Sequence, residues 1–386
     1  MNKGKKYNQE KNNEPKFKVM GKVWFGNKGF YSGDVVWSDD KEASAKEKFF
    51  NKAWENSNID IVESISLLFQ KYIPVIEATI EKRKRERTQR EIWFSLKEES
   101  IGGDSKKFFL NKIVEKSKFE NKQLGVFYNK ILQFSKIFKD RVKKQKENLK
   151  NQNFEIILDD YKLKTASRLV VGLGAEHVLE TSLTLHHIFG IPYIPGSALK
   201  GVARMVNFWK IADESSKKSD KDIQGLQEQL YDKEISNSDS NGILKHKLLF
   251  GTQNFKGLLV FLDAYPEIQN KQQIFELDVM TPHYQGYYTK NQVPGDWENP
   301  NPIPFLTVKK GITFCFNVLF DKFRAERILT LKDDEFPNAN VAKEIIKEWL
   351  SNDFSKISQD VKEWIEEALT EFGVGAKTRL GYGIFE

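Results

Sequence analysis

A chain of 386 residues, 39% of them apolar, can bury one large core or two, and its one cysteine, Cys315, excludes a disulfide framework. The formal charge of +7, from 61 basic and 54 acidic residues, favours a polyanionic partner only weakly. No apolar run reaches the ~20 residues of a membrane span, and the polar start Met1–Lys16 lacks the apolar segment of a signal peptide; the cytoplasm is the expected compartment.

Residues 1–16, rich in Asn, Lys and Glu, are expected to be disordered. Residues 17–160 form the next segment, a hairpin followed by a helical region. The aromatic clusters Val23-Trp24-Phe25 and Phe30-Tyr31 flank Gly26-Asn27-Lys28-Gly29, a hairpin pattern. Residues 43–150 read as helical. Ile61, Ile65, Leu68 and Tyr72 recur on one helix face, Pro74 should kink or end that helix, and Phe127, Ile131, Phe134 and Phe138 repeat the spacing. Between them, Glu81 to Arg87 is a charge run that fits a nucleic-acid patch or a solvated helix face.

From residue 161 the texture changes, and residues 161–386 read as one domain. Leu169 to Gly172 and Val178 to Leu185 suggest a hairpin or two short strands. Ser197 is placed to cap a helix reaching about Trp209, and the charged stretch 211–242 reads as an inserted loop or exposed helix. Strands follow at Gly257 to Asp263 and Phe275 to Met280, then a rigid proline loop from Pro294 to Pro304. Ile312, Phe314, Phe316, Val318 and Phe320 alternate as a third strand. A helical region from Val341 to Phe372 leads through a glycine loop into a last strand. The order strand, helix, strand, strand, helix, strand is that of an α+β, ferredoxin-like (RRM-like) βαββαβ domain, here with a helical N-terminal extension.

Four segments hold candidate chemistry. The loop Gly373 to Gly383 places Gly373, Gly375, Lys377, Thr378, Arg379, Gly381 and Tyr382 together, suited to a sugar-phosphate backbone. It is not a Walker loop: Ala376 precedes Lys377-Thr378, Glu371 stands where the first glycine belongs, and no helix follows. Ser197, Lys200 and Arg204 share a helix start whose N-terminus can take a phosphate, although a solvated cationic pair has the same spacing. His186 or His187 could take a proton from a ribose 2′-hydroxyl, or simply pack. Asp278 with His283, which lack an obvious nucleophile, and Asp263 at a strand end, which lacks a second carboxylate in a metal-binding pattern and reads as a strand-end turn residue, are weaker sites. The five histidines show no metal-ligand spacing, and no metal or cofactor is expected.

The segments HHIFGIPYIPGSALKGVAR, FLDAYP, LDVMTPHY, NPIPFLTV and GVGAKTRLGYG, in this order over about residues 165–386, resemble the RAMP superfamily of CRISPR-associated RNA-binding proteins. Within it they are most similar to the sixth-subunit family of the type III-B (Cmr) RNA-guided effector. The resemblance implies a ferredoxin-like RNA-binding subunit without catalysis of its own. Such a subunit caps the backbone filament near the 3′ end of the guide RNA (crRNA), close to target RNA, and touches other backbone and small helical subunits. Ser197, Lys200, Arg204 and Gly373 to Gly383 fall on the family's RNA-contacting elements. Some RAMP proteins process guide RNA, so a metal-independent endoribonuclease using His186 or His187 is the alternative.

Overall fold

A computed structural model describes residues 17–25, 29–38, 41–57, 74–84, 87–95, 103–116 and 125–386, except 176, 178, 180, 215–218, 270–271, 296, 298–299 and 301. The expectations for residues 1–16 and for a helix through Ile61 to Tyr72 lie outside these. The chain divides into two compact units, one of residues 1–115, 177–180 and 277–305, the other of residues 116–176, 181–276 and 306–386. This division differs from the expected boundary at residue 160.

The first unit opens with β1 (Phe17–Phe25) and β2 (Gly29–Ser38), the expected hairpin, with Trp24 opposite Phe30 and Val23 opposite Tyr31. Then come α1 (Glu42–Asn56), β3 (Pro74–Lys84), β4 (Arg87–Ser95) and α2 (Gly103–Lys116). The four strands make one antiparallel sheet, in the order β2-β1-β3-β4. The extension is therefore not helical throughout. Residues 74–95 are strands because Ile76, Ala78 and Ile80 are buried at every second position, a period of two rather than 3.6. Pro74 begins a strand, and the helix it was expected to kink or end lies outside the described residues. α1 packs on β1 and β2, with Phe49, Phe50 and Ala53 wholly buried; the Phe49 ring meets Tyr31 of β2, and the Phe50 ring meets Phe108 of α2.

The second unit begins with α3 (Gly125–Asn151), in which Ile131 and Phe138 of the expected face are buried, and β5 (Phe154–Lys164). After them come α4 (Gly196–Glu214), α5 (Asp220–Leu230), α6 (Asn241–Phe250), β6 (Leu259–Phe261) and β7 (Tyr265–Glu267). β8 (Phe275–Met280), α7 (Gln285–Lys290) and β9 (Ile303–Val308) come next, and β8 pairs with β9. The chain continues with β10 (Thr313–Asp321), α8 (Lys322–Thr330), α9 (Ala339–Ser351) and α10 (Ser355–Glu367). A π-turn, Ala368–Phe372, extends α10.

β10 is the hub of the sheet. It runs antiparallel to β5, β6 and β7, and Phe314, Phe316 and Phe320 are wholly buried along it. The chain end closes the other side of β5. Lys164 and Glu386 exchange two backbone hydrogen bonds of 2.8 Å, and Thr165 bridges Phe385. The spatial order is thus terminal segment, β5, β10, β6, all antiparallel.

Three expectations are corrected. Among the described residues of Leu169–Gly172 and of 178–185 no regular strand forms; Leu169 and Leu185 make single bridges, to Val308 and Pro192. The last strand is reduced to the bridge at Phe385, because the glycine loop uses most of the remaining chain in turning. The stretch 211–242 is no loose insertion. It holds the end of α4, all of α5, which is capped by the Ser219 hydroxyl, and the start of α6, with Leu226 and Leu230 buried against Phe208, Ala212 and Ile243.

Candidate nucleic-acid interface

The start of α4 is built by backbone pairing. Ile194 and Ala264 exchange N–H···O bonds of 2.9 Å, which presses Gly196 onto β6. A Cβ at Gly196 would lie 2.1 Å from the Phe261 carbonyl oxygen, so only glycine fits. Asp263 Oδ1 then accepts the Gly196 N–H at 2.8 Å. This corrects the expected cap: the carboxylate of Asp263 serves the helix N-terminus, and Ser197 is an exposed first-turn residue. Asp263, met as a strand-end residue, is thereby a structural acceptor.

One turn along, Lys200 is half-buried. Burial, then the neighbouring Arg204 and Lys256, hold its ammonium below the usual lysine range. Among the described residues it has no carboxylate partner. Arg204 is differently employed. Its Nε donates to His246 Nε2 at 3.2 Å, an Nη donates to the Leu230 carbonyl at 3.0 Å, and the guanidinium lies 4.1 Å from the Tyr231 ring centroid. Asn207 Oδ1 lies 2.6 Å from His246 Nδ1 and fixes the tautomer: Nδ1 carries the proton, Nε2 accepts. Burial, reinforced by Arg204 and Lys247, pulls His246 down to about 3, so the ring is neutral. Sequence reasoning missed this residue, since a lone histidine in α6 carries no spacing signal.

The π-turn packs against α4 and leads into the glycine loop. The loop closes on residues 168–170: Ala376 donates to the Val170 carbonyl at 2.8 Å and Gly383 to the Arg168 carbonyl at 2.7 Å. A Cβ at Gly375 would lie 2.4 Å from the Val170 oxygen, and one at Gly383 2.0 Å from the Val374 oxygen. Gly373 and Gly381 adopt positive φ, as does Lys377 at 62°. Gly373, Gly375 and Gly383 therefore serve close backbone packing, Gly381 only its positive φ, and the N–H groups of Val374, Ala376, Leu380, Gly381 and Gly383 are bonded within the protein. A short 3-10 turn, Thr378–Leu380, displays Arg379 on the surface, with Lys377, Thr378 and Tyr382 partly exposed.

His186 and His187 stack with ring centroids 4.9 Å apart. His186 also meets Phe138 at 4.8 Å and Phe189 at 5.1 Å, and burial lowers its pKa, as do His187 and Arg141. Its Nδ1 accepts the Ile188 N–H at 3.3 Å. Asp278 Oδ1 accepts the Val279 N–H at 2.8 Å, and His283 lies beside Tyr284, with ring centroids 6.1 Å apart. A cavity of about 410 Å³ between α3 and the sheet, lined by Phe138, Asp160, Lys162, Tyr265, Glu267 and Asn317 among others, was not foreseen. Most of its charges are matched internally: Glu267 binds Lys139 at 3.2 Å and Lys162 at 2.7 Å, and Asp160 binds Lys146 at 3.0 Å. Among the described residues no group of three metal-ligating side chains occurs.

Residues 162–386 match the family model of the RAMP superfamily. The chain belongs to the RAMP superfamily. This RAMP chain is 35% identical over 257 residues to the CRISPR system Cmr subunit Cmr6 of Pyrococcus furiosus, across 58% of this chain and 66% of that one. It is 23% identical over 188 residues to the Cmr6 subunit of Saccharolobus solfataricus, across 47% of this chain and 54% of the other. It thus spans less than two thirds of each relative. Among solved structures, the crystal structure of Cmr6 from P. furiosus is 32% identical, covering 60% of this chain and 97% of that one at a TM-score of 0.36. A cryo-EM structure of the type III-B Cmr-beta complex bound to cognate target RNA includes a chain 18% identical, covering 76% of each at a TM-score of 0.40. In this RAMP chain α4, the His186–His187 stack and the glycine loop all lie inside the family match, and β1 to β4 precede it.

Proposed function

We propose that this RAMP chain is a non-catalytic RNA-binding subunit of a type III-B CRISPR (Cmr) effector, capping its backbone filament and contacting guide RNA near the 3′ end. The observation that carries the reading is Lys200, a half-buried cation whose charged neighbours are Arg204 and Lys256. Holding three cations together costs free energy that a phosphate would offset. Lys377 and Arg379 extend the same chemistry at the loop that α4 reaches through the π-turn. The relatives named Cmr6 supply the complex, and target RNA together with other Cmr subunits follow as partners.

The order terminal segment, β5, β10, β6, with α4 and α10 as the two crossover helices, supports a ferredoxin-like reading of the second unit. In this reading the partly buried His186 is a packing residue and RNA turnover is absent. Expression with the remaining Cmr subunits and a CRISPR array tests the proposal: the chain should copurify with them and with guide-length RNA. Defined cleavage of repeat RNA in EDTA, abolished in His187→Ala, would instead make it a processing enzyme.

A further inference from the structure

The cavity between α3 and the sheet plays no part in that reading. Its roof, α3, precedes the family match, and its floor is the sheet face turned away from the aromatic core. Alternate residues of β10 divide between the two faces: Phe314 and Phe316 are wholly buried in the core, while Cys315 and Asn317 line the cavity. Tyr265, opposite Cys315 on β7, and Asp263 line it as well. A volume of about 410 Å³ far exceeds the voids of an ordinary interior and falls in the ~300–1,000 Å³ range of small-molecule sites.

The space is held open by polar ties. The Ser135 hydroxyl of α3 donates to the Pro266 carbonyl at 3.3 Å and accepts the Ile268 N–H at 3.4 Å. Lys146 donates to Asn317 Oδ1 at 3.1 Å, and the same oxygen accepts the Asp160 N–H at 2.9 Å. Asn317 Nδ2, by contrast, has no hydrogen-bond partner among the described residues, although the residue is only 2% exposed. Buried donors are nearly always bonded, and a bound molecule offering an acceptor would satisfy this one. Asp263 supplies the complementary atom. The Leu262 N–H donates to the Asn317 carbonyl at 3.1 Å, so Asp263 and Asn317 occupy neighbouring positions of the sheet. Asp263 Oδ1 takes the Gly196 N–H, and Oδ2 meets only the Tyr265 hydroxyl, at 3.5 Å. Phe138, Val142 and Ile268 give the cavity apolar walls. A free donor beside a free acceptor matches a planar ring whose edge carries an acceptor beside a donor, the pattern every nucleobase presents. Asp160 and Glu267 are paired to lysines, so the interior suits an uncharged ring rather than a phosphate.

We propose that the cavity between α3 and the sheet is a binding site for a single nucleobase, with Asn317 Nδ2 donating to it and Asp263 Oδ2 accepting from it. The choice of a nucleobase rests on the RNA-binding reading, and the test keeps the two apart. Cys315, the only cysteine of the chain, lies in the cavity and serves as reporter. Its alkylation by iodoacetamide in the full-length protein is followed by mass spectrometry. The additions are each of the four ribonucleosides, each of the four homo-oligoribonucleotides, and ribose 5-phosphate. The proteins are wild type, Asn317→Asp, Asp263→Asn and Lys200→Ala, each with a thermal melt. Asn317→Asp keeps the acceptor for Lys146 and removes the free donor; Asp263→Asn keeps the acceptor for Gly196 and removes the free one. The expected result is that at least one base slows alkylation of wild type while ribose 5-phosphate does not. Protection should be about tenfold weaker in each variant of the pair that still melts cooperatively. Protection by the nucleoside assigns the site to a free ligand, and protection by the oligonucleotide alone assigns it to a base of a bound strand. Lys200→Ala should keep nucleoside protection in full, so failure of the α4 site and failure of this one read out separately. No protection by any base, protection matched by ribose 5-phosphate, or undiminished protection in a folded Asn317→Asp or Asp263→Asn protein would overturn the proposal. Nucleoside protection lost in Lys200→Ala would move the base to α4 and overturn it equally.

Discussion

His246 and Lys200 are near neighbours of Arg204 with opposite consequences. His246 is neutral in the fold, with a pKa of about 3 against an ordinary 6.5. A depressed folded pKa means that the unfolded chain binds the extra proton between those values. The stability tied to this ring is present above about pH 6.5 and is lost as pH falls toward 3. Urea denaturation at pH 7 and pH 4 should show a drop on the order of a few kcal/mol from this residue. His246→Gln should be less stable at pH 7 and less sensitive to acid. Lys200 is held at a cost among cationic neighbours, so Lys200→Met should melt at the same or a higher temperature while binding RNA more weakly, a split expected of a residue kept for binding. Gly383→Ala should lose ~2 kcal/mol or more, read by thermal melting, because a Cβ there meets the Val374 carbonyl at 2.0 Å and φ is +71°.

At the scale of elements, the strand β10 and the helix α4 were legible because each has one strong period: Phe314, Phe316, Val318 and Phe320 alternate, and of the apolar face read as Leu199, Val202 and Val206 the first and last are buried, with Ala203 rather than Val202 completing it. β3 and β4 were not, because the unbroken charge run from Glu81 to Arg87 reads as a solvated helix face and hides the short alternation of Ile76, Ala78 and Ile80, and pairing with β1 is non-local. β5 escaped for another reason. Its Asp159-Asp160 doublet looks like a loop, yet Lys146 of α3 binds both, at 2.6 and 3.0 Å, and Asn317 Oδ1 accepts the Asp160 N–H at 2.9 Å. Charge pairing across 13 residues is invisible to periodicity. The cap on α4 was misassigned to Ser197 because the true acceptor, Asp263, comes from 67 residues away. α5 looked dispensable by composition, but Leu230 is wholly buried. Leu230→Ala should therefore cost about 2–4 kcal/mol in a chemical denaturation series.

For the whole molecule, composition indicated a mild polyanion preference, and in the second unit a group of cations, Lys200, Arg204 and Lys256, gathers where α4 begins. The glycine loop, which looked like an anion cradle, is chiefly a packed closure that returns the chain to β5 and leaves Lys377 and Arg379 outward. No helix among the described residues is long and apolar enough to cross a membrane. The account thus stands on cationic side chains rather than on backbone nests or acid–base chemistry, and binding of that kind responds to salt. The most direct measurement is fluorescence anisotropy of a labelled CRISPR guide RNA with the full-length protein across a salt series, wild type against Lys200→Ala. The account predicts affinity that falls steeply with salt and is about tenfold or more weaker in Lys200→Ala. Affinity that ignores salt, or is identical in the two proteins, would contradict it.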